Sequence, residues 1–254
     1  MSLQTSPCGA MLQAFVHFDG TATTIMSTPF HVVFALFPRI TQLDFTGPHE
    51  VFWRLPDARC VLASAAGGPV TADGGIVFQT ERLADIAQCD LLCVPGGFGV
   101  VAAMEDAEFL DQLRRLAGLS RYVTSVCTGS LLLAAAGLLK GRRAACHWAW
   151  RELLAEFDGV TPDPARVVRD GNVFTGGGVT AGIDMALTLL AEIVGGSTAQ
   201  AVQLGIEYAP APPFDCGRPE SAAADVVAAV RARLQSLGPQ RRAAVQRAVA
   251  ALQA

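Results

Sequence analysis

Residues Tyr122–Gly137 constrain the fold more than any other stretch of this chain. Tyr122-Val-Thr-Ser-Val126 is a run of β-formers, and from Thr128 to Gly137 the chain is rich in Leu and Ala, as a helix would be. Cys127 stands at the joint. Ser125-Val126-Cys127-Thr128-Gly129 has the spacing of a nucleophile elbow, small-x-nucleophile-x-small, with Cys in place of Ser. The flanks must be small because the turn is sharp and the backbone passes close to itself. Such a turn presents its side chain above the end of a sheet, at a helix N-terminus with unpaired N–H groups and partial positive charge. The sequence therefore predicts a Cys127 held partly or wholly as thiolate, its pKa brought from about 8.5 into the range of roughly 3.5–7.5. The competing reading is a buried structural cysteine.

The same alternation of strand, small-residue turn and helix runs through the chain. His31–Phe37 is a continuous apolar run between Pro29 and Pro38, and Arg59–Ser64 and Asp90–Val94 are further strands. Strands without polar alternation are covered on both faces, as in parallel sheets. Thr41–Gly47 reads as a loop leading to a helix at Pro48–Arg54, capped by Thr46 or Gly47. Further helices are predicted at Asp106–Leu119, Trp148–Phe157, Thr180–Val194 and Thr198–Glu207, and a short strand at Arg142–Cys146. Asp170-Gly171 predicts a type I′ hairpin between Arg166–Arg169 and Asn172–Thr175. The fold class that follows is α/β: a doubly wound, mainly parallel sheet with helices on both faces and a cysteine elbow.

In such sheets ligands sit beyond the carboxyl ends of the strands. Asp44, Gly96-Gly97 and Cys127 each follow a strand, so they are expected to converge. Pro95-Gly96-Gly97-Phe98-Gly99 lacks the spacing of a phosphate loop. Its Gly96 and Gly97 N–H groups are expected to face a ligand, as an oxyanion hole would.

Three segments are expected. Residues 1–29, without Lys or Arg, read as a disordered or loosely packed extension, with Met26 as the natural start. Residues 30–209 form the α/β domain. Residues 210–254 are a Pro-rich linker followed by Ala-rich helices at Ala222–Leu237 and Gln240–Gln253; Val226, Val227, Val230 and Leu234, at helical spacing, are expected to pack on the core.

Nineteen Lys and Arg against 23 Asp and Glu leave a net charge of −4, which argues against general nucleic-acid binding. No uninterrupted apolar run is long enough to span a membrane. Seven cysteines without repeated spacing argue against a disulfide framework and for a reducing cytoplasm. Cys89 and Cys93 lack a second Cys/His pair at zinc spacing, so no metal and no cofactor are expected. His147 reads as a helix start at the domain edge, with a Cys–His pair as the alternative. Asp184 reads as structural.

The order of motifs resembles the ThiJ/PfpI superfamily, of glutamine-amidotransferase-like fold. The matching residues are Leu43-Asp44-Phe45-Thr46-Gly47-Pro48, Val94–Gly99, Ser125–Gly129, His147-Trp148 and Gly176–Asp184, which together span about Phe30 to Glu207. Within the superfamily, Asp44 with Cys127-Thr128 looks most like the isocyanide hydratases. Many relatives carry Glu at the Asp44 position. Protease-like members carry His where this chain has Thr128, which speaks against peptidase activity. AraC-type regulators share the pattern but continue into a basic DNA-binding domain, where this chain has about 45 Ala-rich residues after Ala209.

The resemblance implies a cofactor-free hydratase acting on a small-molecule isocyanide. Cys127 would be its nucleophile and Asp44 its general acid/base. It also implies a homodimer. Thr128 would hydrogen-bond beside them or serve only as the first helical residue, and Asp44 has the competing reading of a helix cap. The alternatives are a cysteine-based redox or ligand sensor and a glyoxalase- or hydrolase-type activity.

Overall fold

The computed structural model describes residues 29–253. The expected extension and the Met26 start lie outside the described residues. The strands are β1 (Phe30–Ala35), β2 (Ala58–Ser64), β3 (Gly68–Thr71), β4 (Val77–Arg82), β5 (Leu91–Val94), β6 (Tyr122–Val126), β7 (Arg143–Ala144), β8 (Thr161–Pro162), β9 (Val167–Asp170) and β10 (Val173–Gly176). The helices are α1 (Leu43–Phe52), α2 (Val100–Glu105), α3 (Ala107–Leu119), α4 (Gly129–Ala135), α5 (Ala181–Val194), α6 (Gly196–Gly205), α7 (Ala224–Gln235) and α8 (Gly238–Gln253).

Eight strands form one sheet in the order β3-β4-β2-β1-β5-β6-β10-β9. The six inner strands run parallel, and β3 and β9 are antiparallel edges. Every residue of β1 and β5 is buried, as their unbroken apolar runs require. The chain passes from β1 outward to β2 and later returns to lay β5 on the other side of β1. The turns after β1, β5 and β6 therefore meet at a topological switch point, where a ligand crevice is expected.

Local differences from the sequence reading have physical causes. α1 begins at Leu43, five residues before Pro48, and carries Pro48 in its interior. Proline lacks the N–H that would bond the carbonyl four residues back, that of Asp44, so the helix tolerates it at the cost of one backbone bond. Asp44 thus lies in the first helical turn and not in a loop. The six-residue α2 was not predicted; it is too short for helical periodicity to register. Asp106 caps α3, its carboxylate accepting from Phe109 N–H at 3.0 Å.

His147–Trp150 is not helical, and only a 3-10 turn, Arg151–Glu156, occupies the predicted Trp148–Phe157 helix. β7 pairs with β8 outside the main sheet. The β9–β10 hairpin is present, but its loop is Gly171-Asn172, with positive φ on Gly171 and not on Asn172, the pattern of a II′ turn and not I′. At the far end α7 buries no residue, whereas α8 buries Arg241, Ala244, Val245 and Ala248. The helix that docks is thus not the one whose valines predicted docking.

Candidate active site

Cys127 has φ 60°, a left-handed conformation that a non-glycine residue adopts only when its surroundings impose it. Its N–H donates to Gly176 O at 3.0 Å, which pins the turn to the end of β10. Gly129 is required here: a Cβ on it would lie 2.2 Å from Val94 O. Beneath the elbow runs a buried polar chain. The Ser125 and Ser130 hydroxyls are 2.9 Å apart, Ser130 donates to Ala145 O, and Ala145 N–H donates to Thr175 Oγ1. This chain brings Cys146 and His147 alongside the elbow.

Asp44 is fully buried. Its Oδ2 accepts the Gly96 N–H at 2.9 Å, while Oδ1 is buried without a hydrogen-bond partner of good geometry. Gly97 N–H donates to Thr128 Oγ1 at 3.1 Å. A Cβ on Gly96 would come within 2.5 Å of Thr128 N and 3.0 Å of Asp44 Oδ2, so glycine is what lets the three segments meet. The two N–H groups expected to face a ligand are instead given to Asp44 and Thr128. In this arrangement they order the acid and the hydroxyl and leave no free pair of donors.

The electrostatics differ from the sequence reading at Cys127. Burial raises the Asp44 carboxyl to about 7, against the opposing pull of the Gly96 N–H and the Cys127 thiol. Burial also pushes the Cys127 thiol well above its ordinary value, and the adjacent Asp44 and Cys146 push it the same way. The elbow sulfur is therefore a resting thiol and not the thiolate expected from its place before a helix. With only 6% of Cys127 exposed, desolvation outweighs the partial charge of a seven-residue helix.

Among the described residues no hydrogen bond joins His147 to Cys127. The His147 Nδ1 accepts from Ala149 N–H, its ring stacks on Trp148, and burial together with the nearby Arg241 lowers its pKa to about 4. The six cysteines among the described residues are all free. Burial raises Cys89 to about 11 and Cys93 to about 12, as apolar core thiols. Asp184 ties Arg166 to Tyr208, a structural role. Among the described residues no group of three or more His, Cys, Asp or Glu could hold a metal ion, and no helix is long and apolar enough to cross a membrane. Two open hollows of about 520 and 590 Å³ lie along Pro219–Gln235 and beside Asp163–Ala165, away from Cys127.

One residue of the site escaped the sequence reading. Arg241, from α8, is 3% exposed; its Nη2 lies 3.4 Å from Gly97 O, and its guanidinium lies 4.2 Å from the Trp150 ring centroid. Its signal was available in the stripe Arg241, Ala244, Val245, Ala248, which has helical spacing, but a charged residue at the head of a small-residue stripe reads as solvent-facing.

A curated isonitrile hydratase from Pseudomonas putida is 54% identical over 201 residues, covering 79% of this chain and 88% of that protein. The crystal structure of a ThiJ/PfpI family protein from Pseudomonas syringae superposes with a TM-score of 0.83 at 36% identity, over 91% of this chain and 98% of the other. The HTH-type transcriptional regulator GlxA of Rhizobium meliloti is 40% identical over 149 residues, but these are 46% of the regulator. The parallel sheet, the strand–Cys–helix elbow and the acid on the first helix fall within residues 30–192, which match the DJ-1/PfpI family, and the chain belongs to that family.

Proposed function

We propose that this chain is an isocyanide hydratase, converting R–N≡C and water to the formamide R–NH–CHO. The observation that carries the reading is the buried Asp44 carboxyl set beside the elbow thiol, in a chain 54% identical to an isonitrile (isocyanide) hydratase over 88% of that protein's length. The terminal carbon of an isocyanide must receive a nucleophile and a proton at the same atom. A thiol and a carboxylate side by side supply both.

The Asp44 carboxylate takes the Cys127 proton as sulfur bonds to the terminal carbon, then returns it to that carbon. The product is a thioimidate, R–N=CH–S–Cys127. Water adds to the same carbon, one of its protons passing through Asp44 to nitrogen. The tetrahedral adduct R–NH–CH(OH)–S–Cys127 then collapses. The hydroxyl proton goes back through Asp44 to the departing sulfur, and the formamide leaves. One isocyanide and one water are consumed and the thiol is regenerated, so the balance requires no cofactor. A carboxyl raised to about 7 can both take and give a proton at neutral pH, which suits a group used in each step. Gly96 N–H orients the carboxyl, and Thr128 with Gly97 holds the turn beside it.

Residues 30–209 are the catalytic α/β domain in this reading, and the chain works as a cytoplasmic homodimer without a nucleic-acid partner. The test is incubation with an alkyl isocyanide and detection of the formamide. Wild type forms it and Cys127→Ser does not, since a buried hydroxyl is barely ionised and a harder nucleophile. Formamide from Cys127→Ser at the wild-type rate, or none from the wild type, would remove the proposal.

A further inference from the structure

Arg241 reaches the site from outside all of the motifs. Gly97 joins it to the elbow: the Gly97 N–H binds Thr128 Oγ1, and the Gly97 carbonyl receives the Arg241 guanidinium. One face of the guanidinium is covered by Trp150. Its Nε is buried without a hydrogen-bond partner, and among the described residues no carboxylate lies within salt-bridge distance. A buried cation with no carboxylate in contact is unfavourable unless a negative charge forms beside it.

We propose that α8 completes the active site, with Arg241 as the cation that stabilises the Cys127 sulfur anion while Asp44 holds its proton. This rests on Cys127 being the nucleophile. Arg241 acts through Cys127, so it is a positioning residue. The charged and titratable groups of the site come from several neighbouring elements. Asp44 on α1 and Cys146 after β7 act on the sulfur directly, and the sulfur acts in turn on Arg241 of α8; around these, Asp73 after β3 faces Asp44 and Arg241, Arg151 on the 3-10 turn faces Cys146, and His147 faces Arg241. Asp73 is engaged by Arg39 and by Phe98 N–H, and His147 is neutral at pH 7. Asp44 opposes a second negative charge. Arg241 is the buried cation of the set: Cys127, Cys146 and, least, Asp73 hold its proton on against the effect of burial.

The test is the pH dependence of iodoacetamide labelling of Cys127, read by peptide mass spectrometry on the full-length chain. Arg241→Met keeps the stem length and removes the charge, a replacement that buried sites often tolerate. The expected result is a labelling midpoint about one pH unit higher and a roughly tenfold slower rate at pH 7, the two being equivalent. Arg241→Lys should recover most of the rate. A Met profile that superimposes on wild type, or a Lys variant that falls as far as Met, would overturn the proposal. Arg241→Gln, judged by the same shift, serves if the Met variant does not fold. Isocyanide turnover is followed on the same samples. A labelling shift without any wild-type turnover would sink the hydratase reading and leave Arg241 standing; turnover without the shift would do the reverse.

Discussion

α7 and α8 are alike in composition and opposite in behaviour. α7 offers Val226, Val227, Val230 and Leu234 yet buries none of them; Val226 is 44% and Val230 40% exposed. α8 offers a stripe of one Arg, two Ala and one Val and buries all four. Apolar count did not decide which helix docked. Alanine lets a helix axis approach a packed surface closely, and Arg241 found a carbonyl and an aromatic face to sit against. Trp148 and Trp150, two residues apart, repeat the contrast. Trp148 takes Arg231 of α7 at 5.7 Å, where both cation and helix stay at the surface, and Trp150 takes Arg241 of α8 at 4.2 Å inside the site.

The strongest way to break this comparison is to remove α8. Deleting residues 238–254 uncovers the faces of α2 and α4 that it packs against. Thermal unfolding is expected to fall by roughly 10 °C, the equivalent of about 4 kcal/mol at this size, and isocyanide turnover to be lost. A wild-type melting temperature would show that α8 rests on the core without stabilising it.

Asp44→Asn supplies the reference from the motif side of the site, with a pH signature. The folded carboxyl titrates near 7 against an ordinary 3.8, so between those values the folded state holds a proton that the unfolded chain has released. Its contribution to stability is full below pH 4 and is lost as pH rises towards 7. Asn carries no such dependence. The variant is expected to gain on wild type from pH 4 to 8, by on the order of 4 kcal/mol at pH 8, while its turnover falls by about a hundredfold or more. Parallel stability curves for the two proteins would mean that Asp44 is charged at neutral pH, and undiminished turnover would remove it from the chemistry.

Smaller effects sharpen the contrast between the helices. Val245→Ala on α8 should cost about 2 kcal/mol by the loss of two buried methyl groups and the space they leave. Val226→Lys with Val230→Lys on α7 should stay within about 0.5 kcal/mol in denaturant titration. A larger loss for the α7 pair would mean that its valines are covered in the working assembly.

The parallel strands were legible because burial on both faces writes itself as unbroken apolar runs, as in His31–Ala35 and Leu91–Val94. The elbow was legible because a left-handed Cys127 demands a neighbour such as Gly129 that no larger residue can replace. What could not be read was the balance of solvation. Whether Cys127 rests as thiol or thiolate depends on how completely Asp44, Cys146 and the docked helices exclude water, and no residue spacing encodes that. The destination of the Gly96 and Gly97 N–H groups was hidden for a related reason: a glycine turn can serve a ligand or a side chain, and only the position of Asp44 on a helix that began before Pro48 decided between them. Arg241 was hidden because α8 meets the Gly97 turn only in three dimensions.

That meeting joins residues 144 apart in the chain, and it sets an order of events. Domains begin to fold during synthesis, at about 5–20 residues per second, so on the order of ten seconds separates the emergence of Gly97 from that of Arg241. Every strand of the sheet is available before α8 exists. In that interval the nascent protein has Cys127, Asp44 and the Gly97 turn, but not the Arg241 guanidinium. In the proposed reading, docking of α8 is the last step in assembling the site, and it follows the sheet beneath it.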